Sequence, residues 1–224
     1  MSYHRWRPIS NADCFWSFVW TLVCLDLGII TQMKSNELLE KYINRNQHPR
    51  KKGRYYASEI SAIRKKWKLP EDFFKPNKIT DNFDGILNGT MKEDFLAKIF
   101  TKMEINCACG KKQNKYEIPI DCGESGVVIV CKPDFEFMKE VWETKAPMTY
   151  RKFNEVKESY KDQLECEFRA TGKQVKLGYF VEGQIFPILL PYKPSDVRWK
   201  NICKKILAFH EAVENSLDKI IDKC

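Results

Sequence analysis

Two β-like runs dominate the middle of the chain. Residues 127–137 (VVIVCKPDFEF) are rich in β-branched and aromatic side chains, residues 138–140 read as a turn, and residues 141–146 (VWETKA) read as a second strand. Further strand-like runs lie near residues 104–108, 116–121, 175–181 and 185–190, with Gly110, Gly123 and Gly126 at turns. Helical spacing marks much of the remainder. Met91, Phe95 and Ile99, with Leu96, Phe100 and Met103, predict an amphipathic helix opening at Gly89. Phe153, Val156, Tyr160, Gln163, Leu164 and Glu167 share one stripe of a helix over residues 150–171, on which Glu158, Lys161 and Glu165 read as solvated charges. A terminal helix over residues 197–222 carries Trp199, Ile202, Ile206, Phe209, Val213, Leu217 and Ile220; it caps the sheet or forms a homodimer face. Two more helices are expected from about residue 36 and near Ser58.

The first thirty-two residues differ in character. Residues 14–25 (CFWSFVWTLVCL) are apolar, follow Arg5 and Arg7 and stop at Asp26. That run is shorter than the ~20 residues a membrane span needs. The expectation is an apolar N-terminal appendage over residues 1–32, dispensable for a single domain over residues 33–224. A cytoplasmic location is expected, with N-terminal membrane association as the alternative.

Alternation along the two central strands brings in the chemistry. Glu143 and Lys145 project together, opposite Trp142 and Thr144, and a hairpin lets Asp134 converge on them. Two carboxylates suit Mg²⁺ or Mn²⁺, which prefer hard oxygen ligands and keep several waters; the main-chain carbonyl of Thr144 is the candidate third ligand. A metal lowers the pKa of its water and stabilises charge on a phosphoryl oxygen, while a lysine holds the attacking water. The bland alternative is an exposed Glu143–Lys145 pair. Against it, Asp134 lies in an otherwise apolar run, where an uncompensated charge costs free energy.

Pro133-Asp134 followed by Glu143-Thr144-Lys145 resembles the PD-(D/E)XK nuclease superfamily. Gly89 and Glu93 look like its first-helix Gly-x-x-x-acid signature, and Gln163 looks like the glutamine motif of the RecB-like branch, which includes CRISPR-associated exonucleases and small archaeal-virus nucleases. The match spans residues 55–181. It implies an α/β fold with a restriction-endonuclease-like core, a mixed central sheet flanked by helices. It also implies a metal-dependent deoxyribonuclease, exonuclease or structure-selective endonuclease, that leaves a 5′-phosphate and a 3′-hydroxyl. Asp134, Glu143, Glu93 and Thr144 would be metal ligands; Lys145 would activate the nucleophile and Gln163 would orient the site. Glu93 also reads as an acid favouring the dipole of its helix's first turn, with Asp94 as the alternative ligand. Two departures stand out: relatives carry a tyrosine where this chain has Glu167, and the cysteines that hold an iron–sulfur cluster are not matched. Residues 58–66 contain no cysteine, and Cys166, Cys203 and Cys224 lack cluster spacing.

The charge balance, 38 Lys+Arg against 30 Asp+Glu for a net +8, favours a polyanionic partner such as DNA. Arg64, Lys65 and Lys66 with Trp67, and Tyr160 beside the site, are the candidate DNA contacts; a solvated helical face explains the basic run equally simply. Nine cysteines without a secretion signal suggest a reducing compartment. Cys107, Cys109, Cys122 and Cys131 lack the paired knuckle spacing that marks zinc. His210 reads as structural. No nucleophile–histidine constellation supports serine or cysteine hydrolase chemistry, and no small-molecule cofactor is implied. The rival reading is a nuclease fold that binds nucleic acid without turnover.

Overall fold

The computed structural model describes residues 51–74, 83–121, 124–146, 150–180 and 186–221. The expected appendage, its boundary at Met33, the helix from residue 36 and Cys122 lie outside them. The elements run β1 (Arg54–Tyr56), α1 (Ile60–Arg64), α2 (Phe83–Lys102), β2 (Ala108–Cys109), β3 (Tyr116–Pro119), β4 (Val128–Cys131), β5 (Phe135–Glu136) and β6 (Glu140–Lys145). Then come α3 (Tyr150–Thr171), β7 (Gln174–Tyr179), β8 (Ile188–Pro191) and α4 (Asp196–Ile221). They build two mixed sheets, β1-β4-β3 and β2-β5-β6-β7-β8, with helices against them. This is the mixed α/β class expected from the sequence.

The run over residues 127–137 is two strands rather than one. β4 pairs parallel with β1 and antiparallel with β3 in the first sheet, whereas β5 pairs with β2 and β6 in the second. Pro133 stands in the break; it has no N–H to offer a ladder. Asp134 thereby leaves the pleat and sits where the chain crosses between sheets. The expected hairpin follows, with Phe135 opposite Trp142 and Glu136 opposite Val141. β6 then runs through the crossover helix α3 into the parallel strand β7, with Glu143 beside Leu177 and Thr144 beside Gly178.

Two helix ends differ from expectation. α2 begins at Phe83, so Gly89 is internal and Glu93 lies past the first turn; the dipole reading of Glu93 therefore does not apply. The strand expected over residues 104–108 shrinks to Ala108–Cys109 because the helix end consumes its start. There Ile105 N–H donates to Phe100 O at 2.9 Å and Glu104 takes a positive φ of 55°.

α4 caps the first sheet. Ile202, Ile206, Phe209 and Val213 join Tyr55, Ile60, Phe73 and Ile129 in one buried cluster. A fully buried aliphatic chain such as Ile202 contributes about 1.5–3 kcal/mol. His210 is structural as expected, its Nδ1 lying 2.9 Å from Tyr55 OH. Val141, Phe153, Leu164, Val175 and Tyr179 pack α3 on β6 and β7, and Leu96, Phe100, Phe135 and Phe180 form a third cluster around α2. Among the described residues, no helix is long and apolar enough to cross a membrane.

Candidate active site

β6 supplies the centre of the site because its alternation divides its side chains between two environments. Glu143 and Lys145 share one side, and Lys145 Nζ donates to Glu143 Oε1. Thr144, 1% exposed, contacts the acids through its main chain and its hydroxyl. Its N–H donates to Asp134 Oδ2 at 2.7 Å, and its Oγ1 lies 2.9 Å from Asp134 Oδ2 and 3.2 Å from Glu93 Oε1. One hydroxyl hydrogen serves only one of these acceptors. Burial, and then Asp134 and Glu143, push the Glu93 pKa up to about 9.

Close packing holds Thr144 there. A Cβ added at Gly178 would stand 3.2 Å from Thr144 Cγ2, Pro187 Cβ and Leu189 Cδ2, so the facing strand position tolerates glycine best. Gly89 is less constrained, since its added Cβ would meet Ala146 Cβ at an ordinary 3.6 Å.

α3 brings in the other side chains. Lys145 Nζ stands 5.2 Å over the Tyr160 ring, and Gln163 Nε2 donates to Glu167 Oε1 at 3.1 Å. The Glu167 carboxyl, 1% exposed, lies beside that of Glu143. Glu93, Asp134, Glu143 and Glu167 therefore surround one lysine. Burial raises the Asp134 pKa to about 7, with Glu143 adding to it, and burial and Glu143 raise that of Glu167 well above the carboxylate range. Burial pulls the Lys145 ammonium down, but Glu143 and Asp134 overcome this and hold its pKa above the ordinary value.

Glu143 Oε2 and Glu167 Oε2 are buried without a hydrogen-bond donor. Among the described residues, no three acid, histidine or cysteine side chains are already gathered into a ligand shell. Cys109 and Cys131 lie in separate buried clusters.

The expected residues thus divide. Asp134, Glu143, Thr144, Lys145, Glu93, Tyr160 and Gln163 come together. Arg64 instead donates from Nε to the buried Asp162 at 2.7 Å, Lys65 lies 4.6 Å over the exposed Trp67, and Lys66 turns the chain with a φ of 60°. Glu158 and Lys161 pair on the surface as solvated charges. Glu165 does not: it is wholly buried and accepts from Arg169 Nε, Tyr192 OH and Ser195 N–H. Glu167 looked only like a departure from a motif, yet its position four residues after Gln163, on the same stripe, already aimed it at the site.

No family model and no curated protein matches the sequence. Solved structures do match in fold. An alkaline exonuclease, LHK-Exo, from Laribacter hongkongensis matches with a TM-score of 0.51 at 15% identity, over 82% of this chain and 97% of that one. LHK-Exo in complex with dAMP matches at 0.52 and 14% identity, over 76% and 93%. SSO0001 matches at 0.53 and 14% identity, over 83% and 85%. The chain shares the mixed α/β fold of these proteins.

Proposed function

We propose that the protein is a divalent-metal-dependent deoxyribonuclease of the RecB-like PD-(D/E)XK type. The observation that carries this reading is the meeting of Glu93, Asp134 and Glu143 around Thr144 and Lys145 in a fold shared with an exonuclease. The residues present fit a hard divalent cation. Four acids outnumber one lysine, and two of their buried oxygens have no donor. Asp134 and Glu143 would hold Mg²⁺ or Mn²⁺, with Glu93 or the Thr144 carbonyl completing the protein's share. A metal held there would lower the pKa of its water and would stabilise charge on a phosphoryl oxygen.

The chain's own residues do the rest. Lys145 stays protonated among its carboxylates, so it acts as a cation: it aims an N–H at the attacking water or at a phosphoryl oxygen. The Tyr160 ring faces the Lys145 ammonium, and Gln163 fixes Glu167. Thr144 ties Asp134 to Glu93, so the two carboxyls keep one geometry. DNA is the proposed substrate, cut to leave a 5′-phosphate and a 3′-hydroxyl.

The test is cleavage of linear, circular and branched DNA with Mg²⁺, Mn²⁺ or EDTA. Lys145→Ala and Asp134→Ala are each expected to lower metal-dependent cutting by about 10²–10³-fold. The preferred substrate separates exonuclease from endonuclease. Binding without cutting under any metal would overturn the reading in favour of an inactive binding protein.

A further inference from the structure

A cavity of about 550 Å³ opens beside α3, lined by four basic side chains and backed by the buried Asp162 and Glu165. Arg64, Lys161, Lys193 and Arg198 line it with Ser195 and Asn201, and no acid does. We infer that this cavity is a second phosphate site, which takes a phosphate of the nucleic-acid strand whose cleavage is proposed above. The identity of the strand rests on that nuclease reading; the anion preference of the cavity does not.

The wall is built to present guanidinium groups. Asp162 is wholly buried behind it and accepts from Arg64 Nε and Arg198 Nη1, each at 2.7 Å. Each guanidinium carries five N–H donors, and this bond uses one of them. Two arginines from α1 and α4 are thus oriented by one carboxylate, while Glu165 behind Tyr192 and Ser195 is paired with Arg169, so the four basic side chains of the wall outnumber the acid they face. Lys193 pairs with no carboxylate among the described residues. Lys161 pairs only with Glu158, whose side chain is 62% exposed and well screened. Ser195 Oγ accepts the N–H of Arg198 at 3.2 Å, which caps α4 and turns its positive end toward the same wall. Forked donors around an open concavity are the arrangement that grips phosphate.

The geometry ties the cavity to the site. Tyr160 and Gln163 serve the carboxylate side of α3, while Lys161 and Asp162, on the same turn, serve the cavity side. A helix is about 10–12 Å across. At about 3.4 Å per phosphate along a stacked strand, a strand at the site reaches the cavity within a few nucleotides.

The experiment is fluorescence anisotropy in EDTA with a 3′-labelled single strand bearing a 5′-phosphate or a 5′-hydroxyl, titrated over salt. Lys193→Gln is expected to lower the slope of log affinity against log salt by about 0.7. Arg198→Lys keeps a charge for Asp162 but loses the fork, and is expected to weaken binding about tenfold. Circular dichroism and the thermal midpoint verify that both variants fold. A 5′-phosphate preference lost in Arg198→Lys assigns a terminal monoester; equal losses on both strands assign a backbone diester. Wild-type affinity and slope in both variants would overturn the cavity, and metal-dependent cutting by the wild type would then leave the nuclease reading intact. A wild type that neither binds nor cuts nucleic acid would remove both.

Discussion

One helix borders two groups of buried acids, and they are treated in opposite ways. On one side of α3, Asp162 and Glu165 are wholly buried and fully answered: Asp162 by two arginines, Glu165 by Arg169, Tyr192 and the Ser195 N–H. On the other side, Glu167 meets Glu143 and Asp134, and oxygens of Glu143 and Glu167 find no donor. The first group ties α1, α3, α4 and the β8–α4 connection together. The second is held against its own repulsion. Folding alone would not select that second arrangement; under the proposed function a bound cation would answer its charge.

The contrast is broken most sharply at Asp162. Asp162→Ala strands Arg64 and Arg198 beside an empty pocket, and urea unfolding is expected to report a loss of about 3–5 kcal/mol. Glu167→Gln should act with the opposite sign. It removes an acid whose oxygen lacks a donor, so unfolding of the metal-free variant at pH 8 is expected to require about 1–3 kcal/mol more than wild type. Affinity for Mn²⁺ by calorimetry is expected to fall in the same variant. Equal destabilisation by the two substitutions would erase the distinction drawn here.

Proton linkage sharpens it further. The folded pKa values of Glu93 and Asp134, about 9 and about 7, lie above those of an unfolded carboxylate. The native state then binds more protons than the unfolded chain, so stability falls as pH rises. The thermal midpoint of metal-free protein is expected to drop between about pH 4 and pH 9. Added Mg²⁺ should raise the midpoint more at pH 8.5 than at pH 6. A flat profile would mean that burial and mutual repulsion do not hold these carboxyls above their ordinary range. The smallest effect is at Gly178→Ala, where an added methyl crowds Thr144; a loss of about 1 kcal/mol is expected, with cutting reduced beyond what that loss explains.

Much of the site could be read before the fold was known, because Asp134, Glu143 and Lys145 lie within one hairpin. Strand alternation is local, and it already put Glu143 and Lys145 on one side, but it did not show that the Thr144 hydroxyl on the other side meets Asp134 and Glu93. Gln163 was readable for a similar reason, as helical spacing set it on the buried stripe of α3. The break at Pro133 was less visible. A missing N–H disrupts a ladder, but only the two sheets decide which partners take β4 and β5. Glu165 was misread as solvated because its partners lie 4, 27 and 30 residues away, and only the first is on its own helix.

Short-range periodicity thus determined the elements, the hairpin and the order of the chemical groups along the chain, since each depends on backbone geometry over a few residues. Tertiary packing decided which acids are neutralised and which are left in conflict. Arg198 reaches Asp162 across 36 residues and Glu93 reaches Thr144 across 51. Whether a buried charge is paired depends on what the fold brings within about 4 Å of it, a distance that local sequence patterns do not encode.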